Sequence, residues 1–460
     1  MNSFTLSRHR GMTLVEMLVA TVITLIMMGL VAQLFGIMGE GISASRSIIE
    51  MTDQLRTISH KLRQDLAGIS VDPASANQSD SPSGYLEIIE GPASDSNATP
   101  TVPPVRLAAD LTFLTADCDD VVMFTARSLQ EPFKGIFNST TSMESPTAEI
   151  SWFCKRSVQQ PANGPTLYTL YRRQLLVAAY VGAGVFSTNT TNSISGTLPG
   201  MQQVYDVSMH ADGSGNLYPN SLIDLAKREN RFLHNSTGTG VSVAPLNFPF
   251  PPVGSFPFID PLIPPPDPAP ATYGQTLTGV REGEDVVLTN VIAFDVRVFD
   301  PEAPIRSSGF AVTPDDPSFS SGALTNATGA YVDLNWGKST SPLTIGSLFP
   351  AVGTTAFQGL GISIQNGGTF TIGPSTHAIY DTWSRHYEFN GVDDDSNTIV
   401  DQGTDGFDNN SNNLVDDALE RETSPPYPVP LRGIEIRIRC YEPSSRQVRQ
   451  VTVRHTFVPH

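Results

Sequence analysis

The pattern of apolar and polar positions changes once within the first part of the chain. Residues 12–38 are apolar on every side of a helix, apart from one carboxylate, Glu16, near their start. From residue 48 onward, apolar residues recur at steps of three and four, which is one stripe on a helix. The stripe consists of Ile48, Met51, Leu55, Ile58, Leu62 and Leu66. The pattern predicts one helix from Met12 to about Gly68, apolar in residues 12–38 and amphipathic in residues 39–70.

The apolar half of this helix is long enough to cross a bilayer, which takes about 20 residues. A secretory signal peptide has an apolar core of only about 7–15 residues and ends at a small-residue cleavage site, which this chain lacks. An ordinary single-pass anchor explains the length but not Glu16, because an ionised group in the membrane costs about 2.5–3.5 kcal/mol. Residues 1–11 are basic, so the positive-inside rule predicts a cytoplasmic leader at the inner membrane and a periplasmic or extracytoplasmic head.

Short β-rich runs separated by turn residues predict a sheet beyond the helix. These runs are residues 121–126, 149–154, 167–173, 286–289 and 291–299. The chain closes with residues 433–440 and 447–457, which alternate apolar and polar positions and predict a hairpin with one solvated face. The fold class that follows is α+β, with the amphipathic half of the helix packed on an antiparallel sheet.

Composition divides the remaining chain into β-rich parts and loop-rich parts, because 37 Gly and 36 Pro require many loops. The predicted parts are a linker at 71–105, a first β part at 106–180, an insertion at 181–280, a second β part at 281–380, an acidic repeat at 390–420 and a C-terminal hairpin at 428–460. The insertion contains a proline tract and one predicted short helix, Leu222 to Leu233. A Gly/Ser/Thr-rich stretch at 307–378 is predicted to form loops.

The charge and the cysteines limit the function classes. The chain has 46 acidic and 28 basic residues, for a net charge of −18, which excludes nucleic-acid binding through bulk electrostatics. Three cysteines are too few for a disulfide framework and lack metal-ligand spacing. Cys118 and Cys154 flank two predicted strands whose antiparallel pairing would bring them close. We predict a disulfide between them in an oxidising compartment, with Cys440 left over.

The leader and the start of the helix resemble a known family. The basic leader ends in the run Gly11-Met12-Thr13-Leu14-Val15-Glu16. This run resembles the cleavage and methylation site of type IV prepilins and type II secretion pseudopilins. The resemblance implies that prepilin peptidase cuts between Gly11 and Met12 and methylates the new amino terminus. It also implies that Glu16 pairs with the amino terminus of a neighbouring subunit during assembly. The family usually has Phe where this chain has Met12.

The order of the β elements adds a finer resemblance. The segments are residues 121–127, 148–153, 167–173, 291–299, 381–383 and the closing hairpin from 428. They are similar to the J-type minor pseudopilin of type II secretion and to the W-type minor pilins of type IV pili. The resemblance implies other pseudopilins or pilins as partners through the helix. The long insertion and the acidic stretch are not part of the usual J pattern.

The acidic stretch is an internal repeat with a period of fifteen residues. Each copy has oxygen side chains at alternate positions, then an apolar residue, then Asp, and Ca²⁺ takes about six to eight oxygen ligands. The predicted ligands of the first copy are Asp393, Asp395, Asn397, the Ile399 carbonyl, Asp401 and Asp405. Those of the second copy are Asp408, Asn410, Asn412, the Leu414 carbonyl, Asp416 and Glu420. We predict calcium binding here.

The repeat is not an EF-hand, which needs Glu where this chain has Thr404 and Leu419. It resembles the Asp/Asn-rich calcium repeats of thrombospondin-type or dockerin-like proteins. The alternative is a solvated acidic loop, since residues 393–420 hold nine acids and no base.

No catalytic signature is present in the sequence. It has no Gly-x-Ser-x-Gly, no His-Glu-x-x-His and no phosphate loop. The sequence therefore predicts a non-enzymatic building block, a minor pseudopilin or minor pilin at a fibre tip. The alternative is a stand-alone cell-surface adhesion or binding protein that uses a pilin-type anchor, which the insertion and the acidic repeat favour.

Overall fold

The structure is a computed structural model. It describes residues 13–71, 83–90, 105–106, 113–114, 117–118, 120–138, 141–160, 165, 167–181, 201–202, 204–211, 217–227, 230–232, 276–277, 279–314, 316, 319, 322–334, 369–372, 375–382, 385–391, 399–416, 420, 431–443 and 445–458.

One long helix, α1, runs from Leu14 to Ala67 over 54 residues. Thr13 caps its first turn, and it ends at Gly68. The predicted helix is confirmed, with both ends within two residues of their predicted positions. The stripe on its second half is buried from Met51 to Leu66, because this face packs on the sheet.

The described strands and a second, short α-helix have the following bounds. They are β1 (Leu86–Glu90), β2 (Val105–Arg106), β3 (Phe113–Leu114), β4 (Val121–Arg127), β5 (Phe133–Asn138), β6 (Thr141–Ser145), β7 (Thr147–Arg156), β8 (Tyr168–Leu176), β9 (Met209–Ala211), β10 (Leu217–Pro219), α2 (Leu222–Ala226), β11 (Val286–Ser307), β12 (Ala311–Val312), β13 (Ala323–Val332), β14 (Thr369–Ile372), β15 (Ser375–Asp381), β16 (Gly433–Glu442) and β17 (Gln447–Thr456).

The main sheet has eleven strands in the order β14-β15-β1-β4-β7-β8-β11-β16-β17, with β12 and β13 paired to β11. All of its described strand pairs are antiparallel. The fold class α+β with an antiparallel sheet is therefore confirmed. The predicted C-terminal hairpin is also confirmed, since β16 pairs with β17 from Gly433 opposite Thr456 to Glu442 opposite Gln447.

Strand β11 organises one half of the sheet because it has four partners along its length. It pairs with β8 near Val286, with β16 around Phe294, and with β13 and β12 toward Ser307. The sequence predicted two runs separated at Asn290. The structure joins them into one strand, with a positive φ of 58° at Asn290 and shifts of register around it.

The main core lies between α1 and one face of the sheet. The helix stripe packs there with large side chains from β4, β7, β11 and β16. They include Phe124, Trp152, Phe294, Ile434, Ile436 and Ile438, each 0 % exposed. Burial of such side chains contributes about 1.5–3 kcal/mol each, so this interface is the main source of stability for the head.

The opposite face of the sheet carries a second core, which the described part of the insertion covers. Leu225 of α2 and Phe232 pack there on Tyr85, Met123 and Phe153. The guanidinium of Arg231 lies 2.9 Å from Glu87, and both side chains are fully buried. Separating a buried ion pair leaves two uncompensated charges in the core, which is costly. The described part of the insertion is therefore a fixed layer of the head.

Three loop or helix predictions are wrong in part. Strand β1 lies inside the predicted linker 71–105, and β13 lies inside the predicted loop stretch 307–378. The predicted helix from Leu222 ends at Ala226 instead of Leu233, because Lys227 is extended with ψ at 125°. The side chain of Arg231 donates to the carbonyls at the end of this helix and turns the chain back on the sheet.

The predicted disulfide is not formed. Cys118, Cys154 and Cys440 are all buried thiols outside any disulfide. Strands β4 and β7 are antiparallel neighbours as predicted, but Val121 pairs with Phe153. Continued outward, this register makes Cys118 and Cys154 diagonal neighbours. Diagonal positions are about 7–8 Å apart, which is more than a disulfide spans.

Candidate functional site

The start of α1 holds Glu16 in a defined conformation. The carboxylate accepts hydrogen bonds from the Thr13 amide at 2.8 Å and from the Thr13 hydroxyl at 3.0 Å, while the hydroxyl of Thr13 accepts from the Glu16 amide. This reciprocal arrangement is a capping box. The capping box directs the Glu16 carboxylate toward the amino-terminal end of α1. Gly11 and Met12, the predicted processing site, lie outside the described residues.

The first half of α1 carries apolar side chains that contact no other part of the described head. The segment Leu14–Gly39 is long and apolar enough to cross a membrane. Its side chains are exposed, for example Leu14 at 81 % and Phe35 at 69 %. A soluble helix of this composition would bury such side chains, so this half fits a lipid environment or contact with other apolar helices.

The second half of α1 ends in an ionic contact with the sheet. Asp65 is buried and receives two hydrogen bonds from the guanidinium of Arg172, at 2.6 and 2.9 Å. The indole of Trp152 donates to the same carboxylate at 3.1 Å. The amphipathic pattern of the sequence did not identify Asp65, since a partner 107 residues away leaves no local signal.

The described part of the acidic repeat has the same hydrogen bond in both copies. The carboxylate of Asp401 accepts from the amide of Gly391, and that of Asp416 accepts from the amide of Gly406, each ten residues earlier. Asp401 and Asp416 also share a positive φ, of 53° and 52°. The fifteen-residue repeat of the sequence is therefore a repeat of conformation at these positions.

The second copy turns its oxygen side chains toward its own backbone. Asp408 accepts from the amides of Asn412 and Asn413, at 3.0 and 2.7 Å. Asn410 accepts from the Asn412 amide, and Asn412 accepts from that of Leu414. Glu420 accepts from the amides of Asn409 and Asn410.

The structure describes only part of the first predicted ligand set. Asp393, Asp395 and Asn397 lie outside the described residues, whereas Asp401 and Asp405 lie within them. Asp405 accepts from the Phe407 amide at 2.8 Å. A carboxylate has about four lone-pair sites, so these oxygens retain acceptor capacity for a cation.

A buried group of three carboxylates was not identified from the sequence. Ligand atoms of Asp117, Asp120 and Asp295 all lie within 4.8 Å of one another, the one such group among the described residues. Asp120 accepts from the Val296 amide at 2.6 Å, and Arg297 lies 2.9 Å from Asp295. These carboxylates come from two distant segments, so sequence spacing carries no signal for them.

Comparison with known protein families gives a match at the start of the chain. The family model described as the prokaryotic N-terminal methylation motif matches residues 6–32. No curated protein and no solved structure matches the chain significantly. The match supports a chain with a pilin-type amino terminus that prepilin peptidase processes. The single apolar helix near this terminus fits a membrane-anchored protein of that type.

Proposed function

We propose that the chain is a minor pseudopilin or minor pilin, a non-enzymatic subunit of a type II secretion pseudopilus or a type IV pilus tip. The observation that carries the proposal is the division of α1 into an exposed apolar half and a half buried in the head core. With the motif at residues 6–32, this division supports a subunit whose helix joins a bundle while its head remains outside.

The proposal includes the orientation and the partners. The basic leader lies in the cytoplasm, α1 crosses the inner membrane once, and the head lies in the periplasm. Other pseudopilins or pilins contact the exposed half of α1, and Glu16 meets the amino terminus of a neighbour there. The J-type character is an inference from the order of the β segments along the sequence.

We also propose that the acidic repeat binds Ca²⁺. The alternate oxygen side chains and the matching hydrogen bonds at Asp401 and Asp416 support two equivalent loops. The repeat also favours the second candidate function, a stand-alone surface-binding protein with a pilin-type anchor. The two candidates differ in whether the chain co-purifies with other pilin-like subunits.

Mass spectrometry of the membrane-bound protein tests the proposed function. With prepilin peptidase present, we expect a mature chain that starts at Met12 and carries one methyl group on its amino terminus. Expression without the peptidase is the matched control and leaves residues 1–11 in place. A mature chain that starts at Met1 in the presence of the peptidase, or one that starts beyond residue 30, would refute a pilin-type subunit.

A further inference from the structure

A polar cavity lies where α1 meets the end of strand β4. Its volume is about 370 Å³. It is lined by residues 61, 64 and 65 of α1, by residues 127–134 at the end of β4 and the start of β5, and by Gln174 of β8. This cavity is far in sequence from both the processing motif and the acidic repeat.

Three cations line the cavity in a chain whose overall charge is strongly negative. They are Lys61, Arg127 and Lys134. The ammonium of Lys61 lies 3.8 Å from Asp65 and its side chain is 40 % exposed. Lys134 lies 3.5 Å from Glu144, in a pair that is exposed on both sides. Such an exposed pair is weak, so Lys134 is available to a stronger anionic partner.

Arg127 is the one cation of the cavity whose side chain has no hydrogen bond or ion pair among the described residues. Its backbone is fixed, however, because its amide donates to the carbonyl of Gly68 at 2.6 Å. Gly68 is required at this contact, since a Cβ atom there would lie 2.5 Å from the carbonyl of Arg127. The guanidinium is thus exposed on a rigid support at the junction of helix and sheet.

The carboxylates near the cavity do not cancel its cations. Asp65 is already bound by Arg172 through two hydrogen bonds. Glu131 and Glu144 are the other two acids. The charged groups at and near the cavity are four cations, Lys61, Arg127, Lys134 and Arg172, and three acids, Asp65, Glu131 and Glu144. Their sum is one net positive charge, which one carboxylate group would neutralise.

The lowered pKa of Lys61 agrees with an excess of positive charge around the cavity. Burial and the nearby guanidinium of Arg172 lower the pKa of Lys61, and Asp65 only partly opposes this effect. An anion in the cavity would reduce the repulsion between Lys61 and Arg172, because opposite charge favours the charged form of both groups.

We propose that this cavity binds a carboxylate group of another molecule, with Arg127, Lys61 and Lys134 as its ligands. Arginine binds carboxylates through parallel N–H donors. Because the site also contains Glu131 and has one net positive charge, a singly charged carboxylate matches it better than a more highly charged anion. The carboxylate belongs either to a small free acid or to an acidic side chain of a protein.

Calorimetric titration of the full-length protein in a non-ionic detergent tests this site and separates the two sources. The probes are butyrate, inorganic phosphate and a peptide with the sequence of residues 404–418, which is acidic and contains no base. Butyrate binding identifies a site for a small acid, and binding of the peptide alone identifies a carboxylate carried by a protein. Both outcomes support the proposal. Binding of neither at about 10 mM, or tighter binding of phosphate than of both, overturns it.

Two independent variants locate the binding in the cavity. Arg127→Gln and Lys134→Gln both change exposed side chains, so we expect them to fold and to weaken binding at least about tenfold. Arg449→Gln removes the same charge from β17, outside the cavity, and is expected to bind normally. Equal affinity of Arg127→Gln and the unaltered protein would place the binding elsewhere and overturn the assignment.

Discussion

The carboxylate of Asp65 and the guanidinium of Arg172 join α1 to the middle of the sheet through hydrogen bonds of 2.6 and 2.9 Å. The side chains are 1 % and 10 % exposed. Because the stripe of α1 is otherwise apolar, the helix could slide by one turn and still bury a similar surface. The ion pair removes this freedom, since a shift of one turn would leave both charges buried without each other.

Loss of Asp65 should destabilise the head strongly. Asp65→Ala leaves the Arg172 charge buried, so we expect the free energy of unfolding to fall by about 3–5 kcal/mol in denaturant titration. Asp53→Ala is the matched control on the same helix, where Asp53 and Arg56 form an exposed pair at 3.8 Å. Its expected cost is about 0–1 kcal/mol. Similar losses for the two variants would show that the buried pair does not hold the helix.

The charge of Glu16, and not its capping hydrogen bonds, should be needed for assembly. Glu16→Gln removes the charge but keeps an acceptor for the capping box, since Gln also serves at this position. We expect normal membrane insertion and loss of co-purification with other pilin-like subunits. Thr13→Ala breaks the box and retains the carboxylate, so it should assemble. If Glu16→Gln assembled and Thr13→Ala did not, the helix cap and not the charge would be needed for assembly.

Chelation of calcium should loosen the acidic repeat. Ca²⁺ that binds only the folded form stabilises it by about 2.7 kcal/mol at a hundredfold excess over Kd. We expect a chelator to lower the melting temperature and to expose residues 390–420 to protease. Asp393→Ala combined with Asp408→Ala should have the same effect without a chelator. Glu282→Ala, a change at an exposed acid outside the repeat, is the control. A melting temperature that does not respond to millimolar calcium would leave only a solvated acidic loop.

His455 should make the head less stable in mild acid. Burial on β17 lowers the pKa of His455 from its ordinary value of 6.5. The unfolded chain therefore takes up a proton more readily than the folded one, and stability falls as the pH drops through about 6.5. His455→Gln should lose less stability than the unaltered protein between pH 8 and 5 in thermal melts. His60→Gln, at an exposed site on α1, should behave like the unaltered protein.

The sequence predicted the elements whose pattern is local. The periodic stripe of α1, the strands β4, β7 and β8, and the alternating hairpin β16–β17 all occur where the pattern placed them. The stripe of α1 is buried from Met51 to Leu66, β4 is buried from Val121 to Ala126, and most of β16 is buried. Apolar residues that lie close together in the sequence therefore report these contacts directly.

The missed elements depend on distant partners. Strand β1 is buried on both faces, and its Glu87 is matched by Arg231 from the insertion, so it shows no alternation and contains a charge. Strand β13 is rich in small and polar residues and forms because β11 supplies its backbone hydrogen bonds. The pairing of Asp65 with Arg172 and the cavity at Arg127 likewise arise only when segments far apart in sequence meet.

The continuity of α1 has a mechanical consequence. At about 1.5 Å per residue, its 54 residues form a rod of about 80 Å with no loop between the apolar half and the half inside the head. A pull on the apolar half therefore reaches the head core directly, and it loads the contact between helix and sheet in shear along the helix axis. With no extensible linker to absorb this load, the resistance of the protein to extraction depends on the packed stripe and on the ion pair of Asp65 with Arg172 at its far end.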